Sequence, residues 1–218
     1  MISVDRAKAR RQRAQAMAKG DILDAALRAF ARRGYADTKM TDIAAEAGYT
    51  AASLYTYFPG KKEIFIAAAD HFVEGVRAAF GPVPEAAPGD FDALEVEVRN
   101  RIGALVAYGD DHREILAFFL RMRWSGEQVI AELRSSDCHA PDPDDAHGPH
   151  RIHAHMANVW RGLGVERFGM DPYAVASLAA AMIESFFMRR FILGAGGALR
   201  EDAEPIANLL LYGLKGKR

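Results

Sequence analysis

Between Thr50 and Lys62 the chain reads TAASLYTYFPGKK, with hydroxyls at Thr50, Ser53, Tyr55, Thr56 and Tyr57, lysines at Lys61 and Lys62, and no acid. Hydroxyls and ammonium groups without a neighbouring carboxylate suit an anionic partner. Phenol hydroxyls donate to phosphate, and tyrosine rings pack on sugars or thymine methyls. Contact chemistry of this kind makes no covalent bond.

Reactive groups are sparse elsewhere. Cys138 is the single cysteine. It excludes an internal disulfide, fits a reducing compartment, and has no orienting arrangement for nucleophilic catalysis. Gly194, Gly196 and Gly197 follow a helical pattern instead of a strand, so they are no nucleotide fingerprint. Neither enzymatic activity nor a cofactor is expected. Within residues 138–155, His139, His147, His150, His153 and His155 gather beside Cys138, Asp142, Asp144 and Asp145. Such side chains can hold zinc or nickel, but their spacing matches no closed site. Loops rich in Asp, His and Pro are commonly just solvated, and no metal is assigned.

The elements that must position the Thr50 segment are helical. Ile22, Leu23, Ala26, Leu27 and Phe30 form one apolar stripe on a helix that Gly34 ends. Thr38 is the expected N-cap of a short helix to Ala47, closed by Gly48; Thr50 then caps a third helix reaching Phe58–Pro59–Gly60. Met40, Ile43, Ala47, Leu54 and Phe58 are spaced to bury one face, and Gly48 permits the left-handed backbone of a sharp turn. Two short helices about such a turn are helix-turn-helix geometry, which an ordinary helical hairpin also satisfies. On the DNA reading, the third helix points its N-terminal N–H groups at phosphate.

Charge supports the first reading. Residues 1–62 hold 12 Lys/Arg against 6 Asp/Glu, and the remainder 16 against 23, although the net charge is −1. A basic head and an acidic body suit a polyanion held at one end. The arm from Arg6 to Lys19 carries Arg6, Lys8, Arg10, Arg11, Arg13 and Lys19 with no acid. It reads either as a solubilising tail or as a chain, disordered when free, that enters a minor groove.

Residues 22–65, ILDAALRAFARRGYADTKMTDIAAEAGYTAASLYTYFPGKKEIF, resemble the DNA-binding domain of the tetracycline-repressor (TetR) family without a gap. The likeness runs through Gly34–Tyr35, Thr38, Ile43–Ala44, Ala47–Gly48, Leu54–Tyr55, Tyr57–Phe58 and Lys61. It implies an all-α homodimer with a divergent ligand-binding domain, usually a repressor released by a small-molecule effector. It further implies phosphate contacts at Thr38, Thr41, Tyr57 and Lys61, and base contacts at Ala51, Ala52, Ser53, Tyr55 and Thr56. The chain departs from many members in having no Lys or Arg between Thr50 and Gly60. Bidentate Arg–guanine readout, worth about 1–3 kcal/mol per pair, is therefore closed to that helix.

The rest also reads as helix: 61–80, Asp90 to about Tyr108, Asp110 or Asp111 to Trp124, 127–134, Pro149 to Leu163, 172–193 and 201–214, with loops at 81–89 and 135–149. The fold expected is all-α with nine or ten helices: a basic arm at 1–18, a helix-turn-helix domain at 19–62, and a ligand-binding and dimerisation domain at 63–218. Helix 172–193 and the last helix are apolar on more than one side, which suits either a homodimer through these two helices or a large monomeric core. Tyr108, Phe119, Met122, Arg123, Trp124, Asn158, Trp160, Glu184 and Phe187 are the candidates to line an effector pocket, with Arg121 or Arg123 facing inward.

No apolar run approaches the ~18 residues of a membrane span, and the first thirty residues lack a signal-peptide core. A cytoplasmic protein bound to double-stranded DNA at a palindromic operator is expected. The competing reading is an architectural DNA binder without effector, which would show little sequence preference.

Overall fold

The structure, a computed structural model, describes residues 2–125 and 149–215. Among these, every regular element is helical: α1 (Ile2–Asp37), α2 (Met40–Ala47), α3 (Ala51–Tyr55), α4 (Lys61–Phe80), α5 (Phe91–Asp111), α6 (Arg113–Ser125), α7 (Pro149–Gly162), α8 (Pro172–Phe191) and α9 (Ala203–Lys215). Single 3-10 turns lie at Val165–Phe168 and Leu199–Asp202. The chain divides into two compact units, Met1–Phe72 and Val73–Arg218.

In the first unit, Ile22, Ala26, Leu27 and Phe30, the predicted stripe of α1, are buried, as are Ile43, Leu54 and Ile64, each at most 2% exposed. Phe30, Tyr35 and Phe65 pack ring on ring at 5.0–5.7 Å between centroids. Gly34 interrupts α1 with φ 79° and ψ 165°, a backbone state that glycine adopts without a side-chain clash.

Three expectations for this unit are corrected. First, the arm is helix, continuous with α1 from Ile2. Its alanines, arginines and glutamines are strong helix formers, and propagation from a packed helix avoids the cost of nucleation. Second, the N-cap of α2 is Lys39, whose backbone N–H donates to Asp42 Oδ2 at 2.9 Å. Thr38 stands outside α2 instead, donating its hydroxyl to the Gly34 carbonyl at 2.7 Å. Third, α3 stops at Tyr55. The N–H and the hydroxyl of Thr56 both donate to the Ser53 carbonyl, at 3.1 and 2.6 Å, and the chain tightens into a turn before Pro59.

The second unit is organised around Trp160, Phe80, Leu94, Ile102, Leu163 and Phe187, drawn from α4, α5, α7, α8 and the turn after α7. Asp90 and Asp171 cap α5 and α8 as predicted, each accepting a backbone N–H at 2.9 Å. Helix α5 runs on to Asp111 and α8 ends at Phe191, within three residues of expectation. Polar ties join distant elements. Arg99 donates to Asn208 Oδ1 at 2.7 Å, linking α5 to α9, and Arg190 donates to the buried carboxylate of Asp202 at 2.9 Å. The helix expected at 127–134 lies outside the described residues.

Candidate nucleic-acid interface

Helices α2 and α3 meet about Gly48, whose φ of 73° and ψ of 25° are left-handed. Its N–H closes α2 on the Ala45 carbonyl at 3.3 Å, and Tyr49 N–H bonds Ala44 O at 2.8 Å. Thr50 opens α3, its Oγ accepting from the Ser53 N–H at 3.1 Å. Leu54, fully buried, turns the apolar side of the short helix inward and leaves its opposite side outward.

The outward side is less rich in free hydroxyls than its sequence. Thr50 and Ser53 hydroxyls lie 2.9 Å apart and bond each other, while the Thr56 hydroxyl is held by Ser53 O. Tyr55 differs: its side chain is 55% exposed, the largest apolar body that α3 presents to solvent. Ala52 and Thr56 are exposed beside it, and Ala51 and Ser53 half-buried. Tyr57 is half-buried, edge-on to Tyr49 at 6.4 Å. The outward face of α3 is therefore one phenol among methyl groups.

The phosphate candidates separate in the same way. Thr41 is exposed on the first turn of α2. Thr38 is 1% exposed, so its side chain ties the fold together and does not reach the surface. Lys61 is half-buried: its Nζ donates to the carbonyls of Tyr35 and Ala36 at 2.8 and 3.1 Å and lies 4.5 Å from the Tyr35 ring centroid. Two of its three donors thus serve the end of α1. Lys62, its neighbour, is exposed.

Electrostatics adds a feature that sequence reasoning missed. Arg28 and Arg32 of α1 both bond Glu46 of α2, the former at 3.0 Å, and Arg33 bonds Asp42 at 2.8 Å. The hydrogen bond from Arg28, joined by Arg32, holds the Glu46 carboxyl below its ordinary value against the opposing effect of burial. Exposed pairs of this kind add little stability. Their effect is on the charge map, where they neutralise both acids of α2. The signal in the chain is two matching spacings, Arg28/Arg32 and Asp42/Glu46, each one helical turn apart.

In the second unit the effector candidates scatter. Trp160 and Phe187 are core residues at 1% and 5% exposure. Trp160 Nε1 is buried without a hydrogen-bond partner among the described residues. Tyr108 is half-buried, its ring stacked on His112 at 4.1 Å and its hydroxyl against Gly75, where a side chain would collide. Met122 is buried, and Phe119 half-buried against Phe118 at 5.3 Å. Asn158 is exposed and accepts from Arg161 at 2.6 Å, so it points away from the interior. Glu184 lies in an open groove of 630 Å³ beside Phe186, Arg189 and Leu193. Arg121 is exposed; the side chains of Arg123 and Trp124 lie outside those described.

Of the histidine cluster, residues 138–147 lie outside the described residues, as does the His150 side chain. His155 is tied to the Gly81 carbonyl by its Nε2 at 2.9 Å. No helix among the described residues is long and apolar enough to cross a membrane.

Comparison with known proteins agrees with this geometry. Residues 22–68 match the family profile of bacterial regulatory proteins, tetR family. The chain is 22% identical over 197 residues to the uncharacterized HTH-type transcriptional regulator YerO of Bacillus subtilis, covering 88% of this chain and 62% of that protein. It thus spans less than two thirds of YerO. Similarity to the HTH-type transcriptional regulator BetI of Brucella anthropi is 27% identity over 181 residues, covering 80% of this chain and 81% of that one. Among solved structures, the fatty acid degradation regulator FadR from Bacillus halodurans superposes with a TM-score of 0.64 at 17% identity, over 92% of this chain and 97% of the other. The TetR family regulator PfmR from Thermus thermophilus superposes with a TM-score of 0.58 at 23% identity, over 87% and 96%. At these identities the structural likeness concerns the fold.

Proposed function

We propose that this chain, whose residues 22–68 match the tetR family profile of bacterial regulatory proteins, is a DNA-binding transcriptional regulator: a homodimeric repressor, released from a palindromic operator by a small-molecule effector. The observation that carries the reading is the outward face of α3: Tyr55 stands exposed among methyl groups behind the Gly48 turn, and the nearby acids of α2 are neutralised by α1.

On this reading α3 enters a major groove. Tyr55, with the methyls of Ala51, Ala52 and Thr56, contacts base edges and thymine methyls, while Ser53 holds the Thr50 cap in place. Thr41, Thr50, Tyr57 and Lys62 meet phosphates, with the remaining donor of Lys61 beside them. A two-fold axis places two such helices about 34 Å apart on successive turns of a palindrome.

Support for the dimer comes from α8 and α9, where Leu178, Leu209 and Tyr212 are 54%, 56% and 67% exposed in the single chain. Large apolar side chains left out on two neighbouring helices fit a four-helix bundle formed with a second copy. For the effector, the N–H of Trp160, which has no hydrogen-bond partner among the described residues, suits an acceptor group on an otherwise apolar molecule.

Selection of bound sequences from random duplex DNA tests the reading. A palindromic consensus preferred over random duplex by several kcal/mol is expected. Binding without sequence preference would overturn the regulator in favour of an architectural protein. Repeating the selection with a metabolite panel identifies the effector as the compound that releases the complex.

A further inference from the structure

Ahead of Ala18, every described side chain of α1 is exposed. Its basic residues Arg6, Lys8, Arg10, Arg11 and Arg13 are all exposed, and no acid occurs from Arg6 to Gly20. For stability alone this is a poor arrangement: like charges one turn apart repel, and cations at a helix N-terminus oppose its dipole. An anionic partner relieves both penalties.

The spacing says more. At about 100° per residue, Arg6, Arg10 and Arg13 fall in one row along the helix, and Lys8 and Arg11 in a second row roughly opposite. Ala14 and Ala18 lie on one side between the rows, and Ala9 and Ala16, with the uncharged Gln12, on the other. A single charged face would suit one phosphate strand or a flat anionic surface. Two opposed rows separated by small residues suit a helix lying between two strands of phosphates.

We propose that this extension of α1 binds double-stranded DNA as a helix lodged along a groove, with its two basic rows on the phosphates of the two opposite strands. The inference rests on the DNA-binding reading above. The groove is the major one, about 12 Å wide and able to admit a helix, where the minor groove of about 6 Å is not. The alanine sides let the helix sit deep, and about 28 Å of helix over residues 2–20 spans most of a turn of duplex. Between Arg6 and Ala16 the only apolar residues are alanines, too small to anchor the helix in a lipid surface.

The test measures salt dependence of binding to a selected operator and to random duplex. Each phosphate contact contributes about 0.9 to the slope of log affinity against log salt. Substituting Arg6, Arg10 and Arg13 together by Gln is expected to lower the slope by about 2.7 per subunit, and Lys8 and Arg11 together by about 1.8, equally on both duplexes. Ala14→Pro keeps every charge but breaks the helix that holds both rows, and is expected to lower the slope by up to about 4.5 per subunit, the loss of both rows together. All three sites are exposed, so an unchanged melting temperature verifies the fold of each variant.

Loss from only one row overturns the two-strand placement. A wild-type slope in Ala14→Pro overturns the helical arm in favour of a flexible chain. Wild-type slopes throughout, in a protein that still prefers its operator, overturn this inference and leave the regulator standing. Failure of the wild type to bind any duplex overturns both.

Discussion

Lys61 donates to the carbonyl oxygen of Tyr35 at 2.8 Å while its ammonium stands 4.5 Å from the centre of that residue's ring. The lysine that the family resemblance assigns to phosphate thereby closes the end of α1, across 26 positions of sequence. Lys61→Ala is expected to lower stability by about 1–3 kcal/mol, the cost of two charge-assisted hydrogen bonds, seen as a drop in melting temperature. Lys62→Ala is expected to leave melting unchanged and reduce the salt slope of DNA binding by about one per subunit. The reverse pattern, with Lys62 stabilising and Lys61 silent in melting, would contradict this assignment.

Tyr55 is the exposed group of α3 whose hydroxyl the surrounding helix does not use. Tyr55→Phe removes one hydrogen bond and keeps the ring. Operator affinity is expected to fall about threefold to tenfold, matching ~0.5–1.5 kcal/mol for a single hydrogen bond, with random-duplex affinity unchanged. Equal loss on both duplexes would show that the phenol meets phosphate and reads no base. Thr56→Val should matter less for contact, since the Thr56 hydroxyl is already committed to Ser53 O.

The exposed leucines of α8 and α9 separate a dimer from a monomer. Leu178→Glu combined with Leu209→Glu places charge on side chains that are 54% and 56% exposed, so the fold of one chain should tolerate it. Sedimentation is expected to report a monomer with native helix content, and operator binding should weaken sharply as the second recognition helix is lost. A double variant that still sediments as a dimer would place the interface elsewhere.

His155 predicts a pH dependence. Burial is the main influence and pushes the imidazole below its ordinary value of 6.5, against the hydrogen bond to Gly81 O that favours the charged form. Arg77 and Arg101 nearby also disfavour protonation, and Glu74 opposes them. The unfolded chain then binds more protons than the native one just below pH 6.5, so stability falls as the solution is acidified through that window. His155→Gln, which cannot titrate, should lose less melting temperature there. The contribution of Glu46 has a separate signature, since a lowered carboxyl is lost only below about pH 4.5. Identical slopes for wild type and His155→Gln near pH 6 would remove the His155 contribution.

Much of the architecture is legible from the chain because its signals are local. Thr50, Asp90 and Asp171 cap the helices that their sequence positions assign to them, and Gly48 makes the turn. Each depends on residues within about four positions, where hydrogen-bond geometry leaves few choices. The scarcity of acid and base on α3 is likewise plain. The helical arm escapes such reading because charge repulsion suggests disorder, whereas its alanines extend a helix already nucleated by the Ile22–Phe30 stripe.

What sequence by itself settled, then, is the order of helices, the helix-turn-helix and its chemical character. Tertiary structure alone decided which equivalent-looking groups remain free to make contacts: Lys62 ahead of Lys61, which the end of α1 holds, and Glu46 silenced by Arg28 across 18 positions. The physical reason is that a side chain's freedom depends on donors and acceptors that packing brings from another helix, and no periodicity along one helix encodes their distance.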